Sequence, residues 1–211
     1  MRGIQISLFL GVFLALLPVA EARHGNRGAQ PAPNPADSVR EVDLSKLPPC
    51  LDERGNRIDP NNEQVLEWKA STPNQFRSRA LIVGTLVGIY DAKKDHLHMD
   101  VFVGQKGSTG KENDIEVIYN QEFGRIGSDV AMGANVVACG DYITSNRATG
   151  RYPASPLGAI LHWVHKAMNG SHPHGFLAID GKLYGQQDAP PRGPRHGLVG
   201  DGFFGYLWAN Q

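Results

Sequence analysis

Glycine-interrupted apolar runs in the middle of the chain constrain the fold more than any other feature. Residues 79–90 read RALIVGTLVGIY, with Gly84 and Gly88 inside the run, and residues 134–145 carry Gly140 in the same way. A glycine inside a strand often marks a bulge or a bend, as at the corners of a small barrel. The middle of the chain is therefore predicted to form short, bent strands with little helix.

Alternation of apolar and polar residues, together with turn signals, predicts further strands. A hairpin is predicted to turn at Asp180 and Gly181, a dipeptide typical of tight turns. Strands separated by turns predict an all-β barrel or sandwich, and a connector after the third strand favours a small five- to six-stranded OB-like barrel. The predicted strands are residues 79–90, 96–103, 114–120, 134–145, 158–165 and the hairpin 176–184.

Extensions surround this barrel on both sides. The chain begins with Arg2, a short apolar run and an Ala-Glu-Ala site, which predict a secretory signal cleaved after Ala22. A short helix from Glu63 to about Ala70, capped by Asn62, is predicted before the barrel. The predicted divisions are a signal peptide (1–22), a disordered linker (23–47), an N-terminal extension (48–75), the OB-like β domain (76–186) and a Gly/Pro-rich tail with an aromatic C-terminus (187–211).

Export and charge balance narrow the possible functions. A periplasmic or extracellular location is oxidising, and a pair of cysteines there most often forms a disulfide, so Cys50 and Cys139 are predicted to be joined. No membrane span is expected after cleavage of the signal. With 21 basic and 21 acidic side chains the chain has no net charge, so nucleic acid is a possible partner that the charge does not indicate. The partners are otherwise unknown.

The segment 159–184 holds four of the eight histidines of the chain. His162, His165, His172 and His174 are candidate ligands for zinc or copper, although the cofactor is unknown. His162 and His165 are three positions apart, a spacing that places them on opposite faces of a regular strand. The favoured alternative is that the histidines bond to backbone carbonyls and fix the loop, with Trp163 packed inside.

This segment resembles an exported bacterial family of unknown function with an OB-like domain. The family's His-Trp-Thr-His strand looks like residues 162–165, its His-Pro-x-Gly-Trp turn looks like residues 172–176, and its Gly-Lys-x-Tyr hairpin looks like residues 181–184. Upstream, His98 is similar to a histidine of the family's second strand. The resemblance implies an OB-like fold and export, and it implies no activity, substrate or catalytic residue. The chain departs from the family pattern at Tyr119, Val164 and Phe176.

These observations favour an exported binding module whose ligand is unknown. An OB barrel binds ligands on the face of its middle strands, where aromatic and basic side chains provide stacking and charge. One alternative is a metal-dependent hydrolase or nuclease, with Asp100, Asp114, Glu116 and Glu122 as candidate acids. Another alternative is a structural envelope protein. No catalytic residue is assigned, and the candidate ligand-binding residues are His98, Tyr119, Arg151, Tyr152 and Trp163.

Overall fold

The computed structural model describes residues 42–91, 95–150, 152–168, 170 and 172–188. The predicted signal peptide, most of the predicted linker and all but the start of the predicted tail lie outside these residues. Within them, the chain forms one α-helix, α1 (Asn62–Ser71), and seven strands: β1 (Arg77–Asp91), β2 (His96–Phe102), β3 (Asp114–Asn120), β4 (Asn135–Thr144), β5 (Ala159–His162), β6 (Phe176–Ile179) and β7 (Lys182–Tyr184).

Strands β1 to β5 close into a barrel in the order β1-β2-β3-β5-β4-β1. The first half of β1 pairs with β4 and the second half pairs with β2, so this one strand closes the barrel. A register shift between Leu86 and Gly88 allows β1 to bend from one partner to the other. Strands β3 and β5 are parallel, whereas the other barrel pairs are antiparallel. The prediction of a small all-β, OB-like barrel is confirmed.

Strands β5 and β6 lie end to end along the same edge of β4. β5 pairs with residues 141–144 of β4, and β6 pairs with residues 136–139. The two strands are thus one line of pairing interrupted by residues 163–175, which we call the histidine loop. Its two ends meet where the Gly175 amide donates to the His165 carbonyl at 2.8 Å. A side chain at Gly175 would overlap the carbonyl oxygens of Trp163 and Cys139, so only glycine fits this return point.

Helix α1 packs over the end of the barrel where β1 and β3 begin. Val65 is fully buried, and the Trp68 ring lies 5.4 Å from the Tyr142 ring, so the helix closes the apolar interior. The predicted helix is confirmed, but the prediction that Asn62 caps it is wrong. Asn62 is the first helical residue, and its side chain instead bonds to the backbone of Val83 and Val103. No helix of the described residues is both long enough and apolar enough to cross a bilayer.

The residues before α1 form a strap over the outer face of β1, β4 and β6. A second apolar cluster lies under this strap, and the Cys50–Cys139 disulfide is part of it, with the Cα atoms 5.6 Å apart. The predicted disulfide is confirmed. Leu44 and Leu47 also pack against the cluster, which corrects the prediction that the disordered linker extends to residue 47. The second cluster consists of Cys50, Leu81, Val137, Cys139, Phe176 and Ala178.

Candidate functional site

The outer face of β1, β2 and β3 carries a polar network, which we call the outer-face network: Tyr90, His98, Asp100, Glu116 and Ser155. These side chains come from three adjacent strands and from the loop before β5. Antiparallel pairing places Tyr90 opposite His98 and places Asp100 opposite Glu116, so the four project from the same side of the sheet. The middle strands of an OB barrel are also where such folds bind their ligands.

Glu116 is the centre of this network although its residue is only 3% exposed. One carboxylate oxygen accepts from His98 Nδ1 at 2.5 Å and from the Tyr90 hydroxyl at 3.1 Å, and the other accepts from the Ser155 hydroxyl at 2.5 Å. Burial acts to raise the pKa of Glu116, but the bonds from His98 and Ser155 outweigh it and leave that pKa below its usual value. Glu116 is therefore a charged, well-bonded anchor that fixes the His98 ring.

Asp100 has a different environment on the same face. Its carboxylate accepts a bond from the Tyr90 hydroxyl at 3.3 Å, and burial raises its pKa above the usual value. Gly88 lies opposite Asp100, and a side chain at that glycine would contact the Asp100 carboxylate. The Tyr90 residue is 39% exposed and its ring lies 5.5 Å from the His98 ring. Asp100 and Tyr90 thus form the accessible part of the network.

The histidine loop brings a second group of rings together beside this face. β5 ends at His162, and the chain then turns through Trp163, whose φ of +51° leaves the strand conformation. This turn removes the alternation on which the opposite-face prediction for His162 and His165 relied. The ring contacts that result are His96–His162, His162–Trp163, Trp163–His172, His165–His172 and Phe123–His165, the last a stack at 3.8 Å.

Burial keeps three of these histidines neutral. It lowers the pKa of His162 well below the usual value, lowers that of His165 to about 4, and lowers that of His172 as well. Neighbouring histidines add to the effect at His162 because a second positive charge would be repelled. The histidine loop is therefore packed around uncharged imidazoles.

Acidification is expected to destabilise the protein through these neutral rings. The unfolded chain binds a proton at His165 as the pH falls through about 6.5, whereas the folded chain does not until about pH 4. Stability from this group is thus constant above pH 7 and falls below it, by about 2 kcal/mol between pH 6.5 and pH 5. Urea unfolding at pH 7, 6 and 5 measures this loss. His165→Gln should reduce the pH slope, exposed His174→Gln should not, and a flat wild-type profile would contradict the prediction.

The four predicted metal ligands do not converge. His165 and His172 each donate Nδ1–H to a backbone carbonyl, those of Lys166 and Pro173, at 2.9 Å. His174 Nδ1 accepts from the Ala167 amide at 3.0 Å, so the neutral ring carries its hydrogen on Nε2 and has no lone pair left for a metal. Within the part of the chain that the structure describes, no three His, Cys, Asp or Glu side chains are arranged to hold one ion. A shared zinc or copper site stays a prediction that this arrangement of the described residues does not support.

Arg79 holds the histidine loop to the strap, a role that the sequence analysis did not identify. Its side chain is 5% exposed and pairs with Asp141 at 2.6 Å. The guanidinium also donates to the carbonyls of Leu51 in the strap and His174 in the loop, at 3.1 and 2.5 Å. It further approaches the Cys139 sulfur at 3.4 Å. A lone arginine at the start of a strand gives no signal of such contacts, which join four separate segments.

The remaining predicted ligand-binding residues are dispersed. His98 belongs to the outer-face network. Trp163 lies in the histidine loop instead, with the Arg77 guanidinium 5.7 Å from its ring centroid. Tyr152 is half-buried in a bridge with Thr149, and Arg151 lies outside the described residues. Tyr119 points inward and is fully buried, so the expectation of a ligand contact from it is corrected.

Tyr119 is a structural hydrogen-bond donor. Its hydroxyl donates to the Gly124 carbonyl at 2.6 Å, and burial raises its pKa to about 12. Tyr119→Phe should lower the free energy of unfolding by about 1–2 kcal/mol, because the buried carbonyl loses its donor. Chemical denaturation measures the change, and Tyr152→Phe on the half-buried loop is the comparison, with a smaller expected loss. An unchanged midpoint for Tyr119→Phe would argue against this role.

The four candidate acids for hydrolysis are divided between the face of β2 and β3 and the turn after β3. Asp100 and Glu116 share the Tyr90 hydroxyl. The Glu122 carboxylate instead accepts from the Asn120 side chain, in the single-turn helix that follows β3. Asp114 lies at the opposite end of β3 from that turn. Asp100, Asp114 and Glu116 lie on one face, but no three acids or histidines among the described residues are arranged to hold a metal ion, and the hydrolase alternative stays a prediction.

Comparisons with protein-family models, with curated proteins and with solved structures found no match to this chain.

Proposed function

We propose that this chain is an exported binding module that takes a small polar ligand on the outer face of β1, β2 and β3. The observation that carries the proposal is the outer-face network, in which the buried carboxylate of Glu116 fixes His98 while Asp100 and Tyr90 remain accessible. Burying a carboxylate costs free energy unless it is well bonded, so a surface does not acquire such a network at random. Fixed polar groups beside an exposed ring are typical of ligand sites.

Export is part of the same proposal. The N-terminal sequence supports a cleaved secretory signal, and a disulfide is stable in an oxidising compartment. The resemblance to an exported bacterial family points the same way. Fractionating cells that express the full chain, together with N-terminal sequencing of the product, tests this point. A cytoplasmic product that retains Met1 would contradict it.

Mapping by nuclear magnetic resonance tests the proposed face. Backbone amide shifts of the mature protein would be followed during separate titrations with spermidine, an N-acetylglucosamine tetramer and a thymidine octanucleotide. Shifts confined to residues 86–102 and 114–120, and lost in Asp100→Asn, support the proposal. Asp59→Asn, an exposed acid in the strap, is the matched control and should leave the shifts unchanged.

Two results would overturn the proposal. If none of the three probes shifts any amide at millimolar concentration, the chain is better explained as a structural envelope protein. If shifts instead map to the strap and the second cluster, binding occurs on the opposite side of β1 and the outer-face network has another role.

A further inference from the structure

In the outer-face network, Asp100 has fewer hydrogen-bond donors than Glu116. This difference indicates which chemical group the ligand presents. The Tyr90 hydroxyl lies 3.1 Å from Glu116 and 3.3 Å from Asp100. A phenol has one hydrogen, so it cannot donate to both carboxylates at once. Glu116 retains bonds from His98 and Ser155 when Tyr90 turns away. Asp100 has no such second donor among the described residues.

The charge of Asp100 is also compensated only in part, because no ion pair between the described residues includes it. Those ion pairs involve Asp43, Asp95, Glu116, Asp141 and Asp188. Lys111 and His98 act on Asp100 as positive charges, but neither forms an ion pair with it. Glu116 is ionised and lies across the strand pair, so it adds negative potential at the same place. A cation close to Asp100 would be stabilised there, whereas a phosphate would be repelled.

Asp100 is partly exposed and lies against Gly88 of β1. Gly88 opposite it has no side chain to cover the carboxylate, and a Cβ there would lie 2.9 Å from the nearer oxygen. The neighbouring Tyr90 ring is partly exposed, and the face of an aromatic ring attracts an ammonium group. A carboxylate whose one donor is shared with Glu116, beside an exposed ring, suits a protonated amine.

We infer that the ligand of the outer-face network presents a protonated alkylamine, which donates to the Asp100 carboxylate while its carbon chain lies against the Tyr90 ring. An ammonium group has three hydrogens and so supplies the donors that the network lacks. Glu116 and His98 act as positioning residues in this arrangement, because their bonds are already made within the protein. This inference rests on the function proposed above and specifies its ligand class.

Calorimetric titration of the mature protein with spermidine at pH 7 tests the inference. Triacetylspermidine is the matched probe, since it keeps the carbon chain and removes the positive charges. Spermidine should bind at least tenfold more tightly than the acetylated form, and added salt should weaken its binding. Acidification should also weaken it, because the amine stays charged while Asp100, whose pKa is raised by burial, takes up a proton at a higher pH than an ordinary aspartate does.

Variants separate the role of charge from that of folding. Asp100→Asn should abolish the preference for spermidine over triacetylspermidine, and Tyr90→Leu should weaken binding tenfold while leaving the preference. Asp59→Asn should change neither quantity. Thermal unfolding of each variant confirms that the fold is intact before binding is compared.

The possible failures of the two proposals are distinct. Equal binding of spermidine and its acetylated form, or tighter binding of the thymidine octanucleotide or the sugar tetramer at this face, would overturn the amine inference and leave the binding module standing. Absence of binding for every probe would overturn both. A preference for spermidine over triacetylspermidine that survives Asp100→Asn would also overturn the inference, since the charge would then act elsewhere.

Discussion

Replacing Arg79 with methionine is expected to lower the free energy of unfolding by about 4 kcal/mol. The loss arises because Asp141 keeps its charge without its partner, while the carbonyls of Leu51 and His174 lose their donor. Methionine has a similar length and fills most of the space, so an added cavity is a minor contribution. Urea unfolding monitored by circular dichroism measures the change.

Two further measurements make the role of Arg79 specific. Arg54→Met, on the exposed turn of the strap, is the control and should change stability by less than 0.5 kcal/mol. Hydrogen exchange of the Gly175 amide, which bonds to His165 in the wild type, should accelerate in Arg79→Met because the loop loses its attachment. A loss below 1 kcal/mol with unchanged exchange would contradict a clamping role.

Removing the disulfide by Cys50→Ala together with Cys139→Ala is expected to destabilise the protein by about 4 kcal/mol. The bridge joins residues 89 positions apart, so it restricts a large part of the unfolded chain. The double variant should keep the barrel, because the strap packs on the outer cluster and leaves the barrel interior unchanged. Guanidinium unfolding of both proteins under non-reducing conditions gives the difference.

The rate at which a reductant breaks the disulfide provides the control for this second prediction. Both sulfurs belong to buried residues, exposed by 1% and 0%. Dithiothreitol should therefore reduce the bond slowly in the native protein and rapidly once the chain unfolds. Two reactive thiols in the denatured, unreduced wild type, or a double variant as stable as the wild type, would contradict the prediction.

The barrel could be predicted because its signals are local. Alternation along β2 and β3, the glycines of β1 and the Asp180–Gly181 turn each act over a few residues, and the observed strands lie where these patterns predicted them. The helix before the barrel was predicted for the same reason. Asn62 was misassigned because a cap and a tertiary contact use the same amide side chain, and the sequence does not distinguish them.

The site could not be predicted to the same degree because it depends on register and on loop geometry. His98 and Glu116 meet only because β2 and β3 pair in one particular register, and Ser155 reaches them from a loop. Tyr119 was assigned to a ligand face, but alternation along β3 turns it inward. The positive φ of Trp163 ends β5, and a tryptophan in the sequence does not indicate such a conformation. The spacing of His162 and His165 therefore did not show on which faces their side chains lie.

Because β5 and β6 form one line of pairing along β4 that the histidine loop interrupts, changes in this loop need not affect the pairing of the barrel strands. The histidine loop leaves and rejoins the same edge of β4 at points joined by one backbone hydrogen bond. Loop closure becomes only slowly more costly with length, by about 0.6 kcal/mol for each doubling. Changes of length or sequence confined to residues 168–171, which keep the buried Ala167 and the His172 ring, are therefore expected to leave the register of the barrel unaltered. This position is a natural grafting point for presenting new sequences on a disulfide-stapled scaffold.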